Sequence, residues 1–185
     1  MSSSSFRSEL ILGGQKSGKS ARAELLAAEW IAKAPDRRCV LLATGLALDE
    51  EMRCRIARHQ LDRAVRVPAM QTHEAPYQLA AAIRQHSAPD ALVVVDCLTM
   101  WLTNWLMPAQ APQGSWRDEC AAFLEALAQC TGPIVLVSNE IGLGVVPMQK
   151  EVREFVDALG RFNQRVARLC TDVTLMAAGL PLSLK

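Results

Sequence analysis

Two periodicities alternate along the chain. Short unbroken apolar runs are separated by longer segments in which apolar residues recur every three or four positions. The short runs predict strands at 9–12, 39–44, 91–95 (ending in Asp96), 134–138 and 173–176. A weaker strand is predicted at 67–72, where Pro68 points to a sheet edge. The longer segments predict helices at 19–34, 49–66, 76–86, 98–106, 115–130 and 149–170. The first helix stops before Pro35, and Ser115-x-x-Asp118 opens another like a capping box. Strands this uniformly apolar are buried on both faces, so the expected fold is α/β: a parallel sheet covered by helices on both faces. Pro108 to Gly114 is expected to be a loop.

Composition narrows the function classes. At 185 residues the chain has room for about one domain. We expect residues 1–8 to be a flexible lead and 9–185 a single catalytic domain. Half the residues are hydrophobic and the net charge is only +1. That balance speaks against a nucleic-acid or membrane-surface protein, which carries a basic excess or a basic run. No apolar run approaches the roughly 20 residues of a membrane span, and the N-terminus does not read as a secretory signal. The six cysteines form no C-x-x-C pair. They are expected to be reduced thiols in a cytoplasmic protein, with no clustering that suggests zinc.

The strongest chemical signal is Gly13-Gly14-Gln15-Lys16-Ser17-Gly18-Lys19-Ser20, between a predicted strand and a predicted helix. This is the P-loop pattern in its required context. Its backbone amides and the helix N-terminus receive phosphates, Lys19 reaches the β and γ phosphates, and Ser20 offers a hydroxyl to Mg²⁺. The second signal is Asp96, at the carboxyl end of a buried strand. There a carboxylate either holds Mg²⁺ or caps the following helix; beside a P-loop the metal role is the better reading. The third is His59, on one helical face with Met52 and Ile56 and flanked by Arg55, Arg58, Asp62 and Arg63. A neutral imidazole can attack phosphorus, but spacing alone favours a packed or rim histidine. His73 and His86 read as surface residues. The loop 138–147 follows a buried strand and brings Asn139 and Glu140 to the ligand edge of the sheet.

Taken together, several segments resemble the bifunctional adenosylcobinamide kinase / adenosylcobinamide-phosphate guanylyltransferase family of cobalamin synthesis. They are the P-loop, Ala43-Thr44, Asp49-x-Glu51-Met52-x-x-Arg55-Ile56-x-x-His59, Asp96-Cys97-Leu98-Thr99-x-Trp101-Leu102-x-Asn104, Ser138-Asn139-Glu140-x-Gly142-x-Gly144-x-Val146-Pro147 and Gly160-Arg161-x-Asn163-Gln164-Arg165. The resemblance implies a P-loop NTPase-type domain assembled as a homotrimer. It implies an enzyme that phosphorylates adenosylcobinamide with a nucleoside triphosphate, ATP or GTP. The enzyme would then transfer GMP from GTP to adenosylcobinamide phosphate, releasing pyrophosphate. His59 matches the histidine that carries GMP. Gly13 to Ser20, Ala43, Thr44, Gly45, Gln60, Leu61, Asp62, Arg63, Glu74 and Asp96 match nucleotide-binding positions, and Ser20 and Asp96 would serve Mg²⁺. Two departures stand out: the stretch 64–70 is about three residues longer than usual, and Met70-Gln71-Thr72 replaces a common Trp-x-Thr, which bears on the match at Glu74. Two other readings of the residues remain: a small-metabolite P-loop kinase without nucleotidyl transfer, and a nucleotide-gated switch protein.

Overall fold

The computed structural model describes residues 8–185. Of the lead expected at 1–8, all but Ser8 lies outside the described residues, and Ser8 opens the first strand. The elements follow in the order β1 (Ser8–Gly13), α1 (Lys19–Ile31), β2 (Arg38–Ala43), α2 (Glu50–Arg66), β3 (Met70–Glu74), α3 (Leu79–His86), β4 (Ala91–Asp96), α4 (Leu98–Leu106), α5 (Trp116–Ala128), β5 (Ile134–Val137), α6 (Lys150–Leu169), β6 (Asp172–Ala177) and β7 (Leu180–Ser183). Seven strands form one sheet in the order β3-β2-β4-β5-β1-β6-β7. Every neighbouring pair is parallel except β6 and β7.

The weak strand at the edge is β3, and it starts at Met70, beyond Pro68, rather than at residue 67. A proline nitrogen has no hydrogen to give to the ladder, so pairing begins after it. The antiparallel β7 has no counterpart among the predicted strands. Its turn is Ala178-Gly179, both at positive φ (52° and 80°), and Pro181 sits inside the strand, where it is tolerated because β7 is an edge.

Each face of the sheet carries its own apolar layer. On one face, Leu10, Leu42, Val93, Val95 and Leu136 meet Leu79 and Ile83 of α3, Trp101 of α4, Phe123 of α5 and Phe162 of α6. The Trp101 ring lies 5.0 to 5.7 Å from those of Trp116, Phe123 and Phe162, and its indole N–H donates to the Tyr77 carbonyl at 2.9 Å. On the other face, Ile11, Leu41, Val94 and Val135 meet Ala23, Leu26 and Ala27 of α1. Side chains alternate across each strand, so the uniformly apolar runs satisfy both layers. Strand register then aligns the carboxyl ends: Ala43 pairs with both Glu74 and Asp96, and Val137 pairs with both Asp96 and Ile11. One row of residues therefore runs along the edge where open α/β sheets bind ligands.

Candidate active site

The P-loop is a strained turn locked from below. Gly13 has φ 151°, and a Cβ there would lie 2.5 Å from Ser17 Oγ and 2.6 Å from the Met176 carbonyl oxygen. Gly18 has φ 102°, and a Cβ there would come within 3.2 Å of Gly179 Cα. Only glycine accepts these conformations at these distances. The Gly179 amide donates to the Ser17 carbonyl at 3.0 Å, so the β6–β7 turn braces the loop. Lys16, with φ 57°, is the non-glycine residue of the loop in the left-handed region.

Lys19 begins α1 and is buried. Its ammonium donates to the Gly14 carbonyl at 2.6 Å. Burial lowers its pKa, the charges of Cys97 and Asp96 raise it, and Arg55 lowers it further. A phosphate beside it would relieve the desolvation that opposes its charge.

Asp96 ends β4, but it does not cap α4. The cap is Cys97, whose sulfur accepts from the Met100 amide at 3.5 Å. The Asp96 carboxylate is left to face the cavities beside the P-loop. Burial pushes the Cys97 thiol up to about 11, so it serves as a neutral cap.

Behind this edge lies a buried polar network. Thr44 Oγ1 donates to the Cys97 carbonyl at 2.7 Å and accepts from the Cys97 amide at 2.9 Å. Asn104 Nδ2 donates to the carbonyls of Thr44 (2.8 Å) and Pro76 (2.9 Å). Ser138 Oγ donates to Asn163 Oδ1 at 2.8 Å, Asn163 Nδ2 donates to the Asn139 carbonyl at 3.0 Å, and the Asn139 amide donates to Thr99 Oγ1 at 2.8 Å. Thr44 is thus fully enclosed and holds the strand ends together. Buried polar groups tied this completely fix one geometry.

Helix α2 forms the opposite wall. Asp49 caps it by accepting from the Met52 amide at 2.7 Å, and Glu50 and Glu51 sit in its first turn. It contains no buried residue. Two adjacent stripes run along it. Glu51, Arg55, Arg58, Asp62 and Arg66 line a cavity of about 790 Å³ against the P-loop, which Asp96 and Asn139 also reach. Met52, Ile56, Gln60 and Arg63 line a second cavity of about 260 Å³, with Ala43, Gly45 and Glu74 across from them. His59 and Arg55 lie on the boundary and line both, as do Ser20, Asp96 and Cys97.

Most of the residues singled out in the sequence meet here. Gln15 to Ser20, His59, Asp62 and Asp96 border the larger cavity; Ala43, Gly45, Gln60, Arg63 and Glu74 border the smaller one. Gly13 and Gly14 shape the loop without lining either cavity. Thr44 is packed behind the edge, and Leu61, 70% exposed, lines neither. Missed by sequence reasoning were Arg66 and Cys54 on the larger cavity, and Glu51, read only as part of the family's pattern, was given no place in the site. The signal was present: 51, 55, 58, 62 and 66 repeat every three or four residues, so one face of α2 is charged throughout. His73 is exposed as expected, whereas His86 is half-buried with its ring 4.4 Å from that of His73.

The larger cavity carries five cations, Lys16, Lys19, Arg55, Arg58 and Arg66, against the carboxylates of Glu51, Asp62 and Asp96. That excess suits a polyphosphate. Ser20 and Asp96 offer the hydroxyl and carboxylate oxygens that Mg²⁺ prefers, with room left for water and phosphate ligands.

A family model described as cobinamide kinase / cobinamide phosphate guanyltransferase matches residues 9–184. The chain is 45% identical over 177 residues to the bifunctional adenosylcobalamin biosynthesis protein CobP of Pseudomonas aeruginosa, covering 96% of each chain. It is 34% identical over 187 residues to the corresponding CobU protein of Salmonella typhimurium, covering 95% of this chain and 98% of that one. Among solved structures, the flagellar accessory protein FlaH from Methanocaldococcus jannaschii aligns with a TM-score of 0.53 at 12% identity, covering 97% of this chain and 78% of that one. A second solved structure, an ATPase domain, aligns with a TM-score of 0.50 at 14% identity, covering 91% and 68%. Both likenesses concern the fold, that of P-loop NTPases.

Proposed function

The chain belongs to the cobinamide kinase / cobinamide phosphate guanyltransferase family, and from that premise we propose how its residues divide the two reactions. It is an enzyme of cobalamin biosynthesis that binds nucleotide at a P-loop. The kinase-only and switch readings give way to this one.

In the kinase step, the P-loop amides and Lys19 hold the β and γ phosphates. The acceptor hydroxyl oxygen attacks the γ phosphorus and gives up its proton to solvent, the β–γ P–O bond breaks, and the nucleoside diphosphate leaves. Mg²⁺, bound by Ser20 and Asp96, would offset phosphate charge. Lys19 adds a desolvated cation at the same place.

Guanylyl transfer uses the α phosphorus instead. A neutral His59 nitrogen attacks it, the α–β P–O bond breaks and pyrophosphate departs; a P–N bond now joins GMP to the enzyme. The acceptor's phosphate oxygen then attacks the same phosphorus and releases the imidazole. Arg55 and Arg58, each within a turn of His59, bind the phosphates on either side of the breaking bond. The smaller cavity takes the nucleoside, and the Glu74 carboxylate accepts from the N–H edge of guanine.

One observation carries this division: His59 stands on the boundary between the P-loop cavity and the smaller one. A side chain there meets the phosphate that joins a triphosphate in one cavity to a nucleoside in the other. The test is to incubate the protein with GTP labelled at the α phosphate and map the label. The label should sit on His59 as an acid-labile, base-stable adduct, and His59→Ala should lose adduct and guanylyl transfer while retaining reduced kinase activity. Label persisting in His59→Ala would overturn the covalent route.

A homotrimer and a cytoplasmic setting complete the proposal. The exposed edge strand β7, with Leu180 and Leu182 outward, supports self-association, and six cysteines free of disulfides suit a reducing compartment. No helix among the described residues is long and apolar enough to cross a membrane. Sedimentation equilibrium tests the trimer.

A further inference from the structure

One large cavity remains unused by the nucleotide. It measures about 730 Å³ and lies between the 141–147 loop and α6, within the usual range of ligand sites, roughly 300–1,000 Å³. Its two walls differ in chemistry. The loop side presents Ile141, Val145 and Val146, with Val145 96% exposed. The helix side presents Asp157, Arg161 and Gln164, none of which has a hydrogen-bond or ion-pair partner among the described residues. The loop is held in place at its far end, where Arg153 Nη1 donates to the carbonyls of Pro147 and Met148.

Between these walls lies Gly160, in the interior of α6, where glycine is the poorest helix former after proline. The fold gives no reason for it: a Cβ there would meet nothing within 4 Å. Its effect is to leave a hollow in the helix surface, open to whatever lies in the groove. The groove is linked to the nucleotide site by the 139–141 segment. Ile141 lines it, Asn139 two residues earlier lines the P-loop cavity, and the Glu140 amide between them donates to the Gly13 carbonyl at 3.1 Å.

We propose that this groove receives the macrocycle of the acceptor: a large flat ring, apolar on its faces and fringed with carboxamides. The proposal rests on the reading of the chain as a cobinamide kinase. Ile141, Val145 and Val146 cover one face of the ring. Arg161 donates to carboxamide oxygens, Asp157 accepts from carboxamide N–H groups, and Gln164 does either. Gly160 lets the ring edge approach the helix backbone. The hydroxyl-bearing arm then passes Asn139 toward the P-loop.

The test compares Gly160→Leu and Arg161→Ala with the unmodified enzyme. Cobinamide binding is followed by equilibrium dialysis through the visible absorbance of the corrin, without nucleotide. Kinase KM values, GMP labelling from GTP, melting temperature and sedimentation are measured alongside. Both variants should bind cobinamide at least tenfold more weakly, with the acceptor KM raised to match. Nucleotide KM and GMP labelling should stay constant, and Gly160→Leu should melt no lower than the parent. Unchanged cobinamide binding in both variants of an active enzyme overturns the proposal. So does dissociation of an oligomer with cobinamide affinity intact, which would assign the groove to a second copy of the chain. An unmodified enzyme that neither binds nor phosphorylates cobinamide would instead sink the functional reading, and this inference with it.

Discussion

The two walls of the nucleotide site are built in opposite ways. The P-loop wall is over-determined. Glycines at Gly13 and Gly18 fit against the β6–β7 turn, and Thr44, Thr99, Ser138 and Asn163 tie the strand ends together beneath it. The α2 wall buries none of its own residues. It is held by its Asp49 cap, by Val67 packed just beyond its end, and by Arg66 Nη1 reaching Glu24 Oε2 at 2.7 Å. The difference teaches a division of labour. The wall that binds phosphates common to both reactions is fixed. The wall that carries the proposed nucleophile, His59, is tied at its ends and buries no residue between them.

The comparison breaks most completely at Lys19. Lys19→Ala should lower both transfers by about 10³-fold, since the one buried cation of the fixed wall serves both. The protein should melt no lower, because a desolvated charge has been removed. Near-normal kinase turnover in that variant would remove the P-loop from the mechanism.

A cut into the network behind the fixed wall should come next. Asn163→Ala strips partners from the Ser138 hydroxyl and the Asn139 carbonyl, and should cost about 1–3 kcal/mol in denaturant titration. Nucleotide affinity should fall with it, because Asn139 borders the cavity. A variant of unchanged stability would show that the network does not hold this wall.

The loose wall is probed by Arg66→Ala. Removing its tether to the buried Glu24, and with it one of the five cations of the larger cavity, should slow guanylyl transfer severalfold while the kinase step loses less and its KM for nucleotide rises modestly. Equal losses in both reactions would mean that α2 belongs to the rigid frame after all.

Legibility in the sequence divides along the same line. The P-loop wall can be read because its chemistry is local: a strand, a fixed spacing of glycines and a helix lie within one short stretch. Its brace cannot. The Ala178-Gly179 turn is far away in sequence, and Pro181 in β7 reads as a strand breaker unless the strand is known to be an edge. Thr44 reads as a ligand position, yet its side chain is turned to the Cys97 backbone. A motif shows that a residue matters without showing which way it faces. Asp96 is ambiguous in sequence between cap and free carboxylate, and the ambiguity ends where Cys97 caps α4. Spacing shows His59 only as a histidine on a helical face, and the family resemblance gives it a role; its position between two cavities depends on how α2 lies over the sheet.

The smallest predicted effect falls on neither wall and serves as their control. His86 has its pKa lowered, first by burial, then by neighbouring His73 and Arg38. A base depressed in the folded state binds fewer protons than in the unfolded chain. Its contribution to stability is therefore complete above the unfolded value of about 6.5 and is lost as pH falls through the lower folded value. His86→Gln should flatten the decline of melting temperature between about pH 7 and 5 without touching either transfer at neutral pH. An unchanged slope would show that the pair is not the acid-sensitive element.

The six thiols sort themselves by the same burial. Burial pushes Cys39 and Cys170 up to about 12 and Cys97 to about 11, and it raises Cys120 and Cys130 as well. Alkylation proceeds through the thiolate, so these five are poor targets near neutrality. Cys54 stands apart: it is exposed, lies on α2 and lines the larger cavity. A maleimide dye should therefore mark a single position, on the lightly held wall and facing the triphosphate. The native sequence thus carries its own attachment point for a fluorophore, and bound nucleotide should shield it from the reagent.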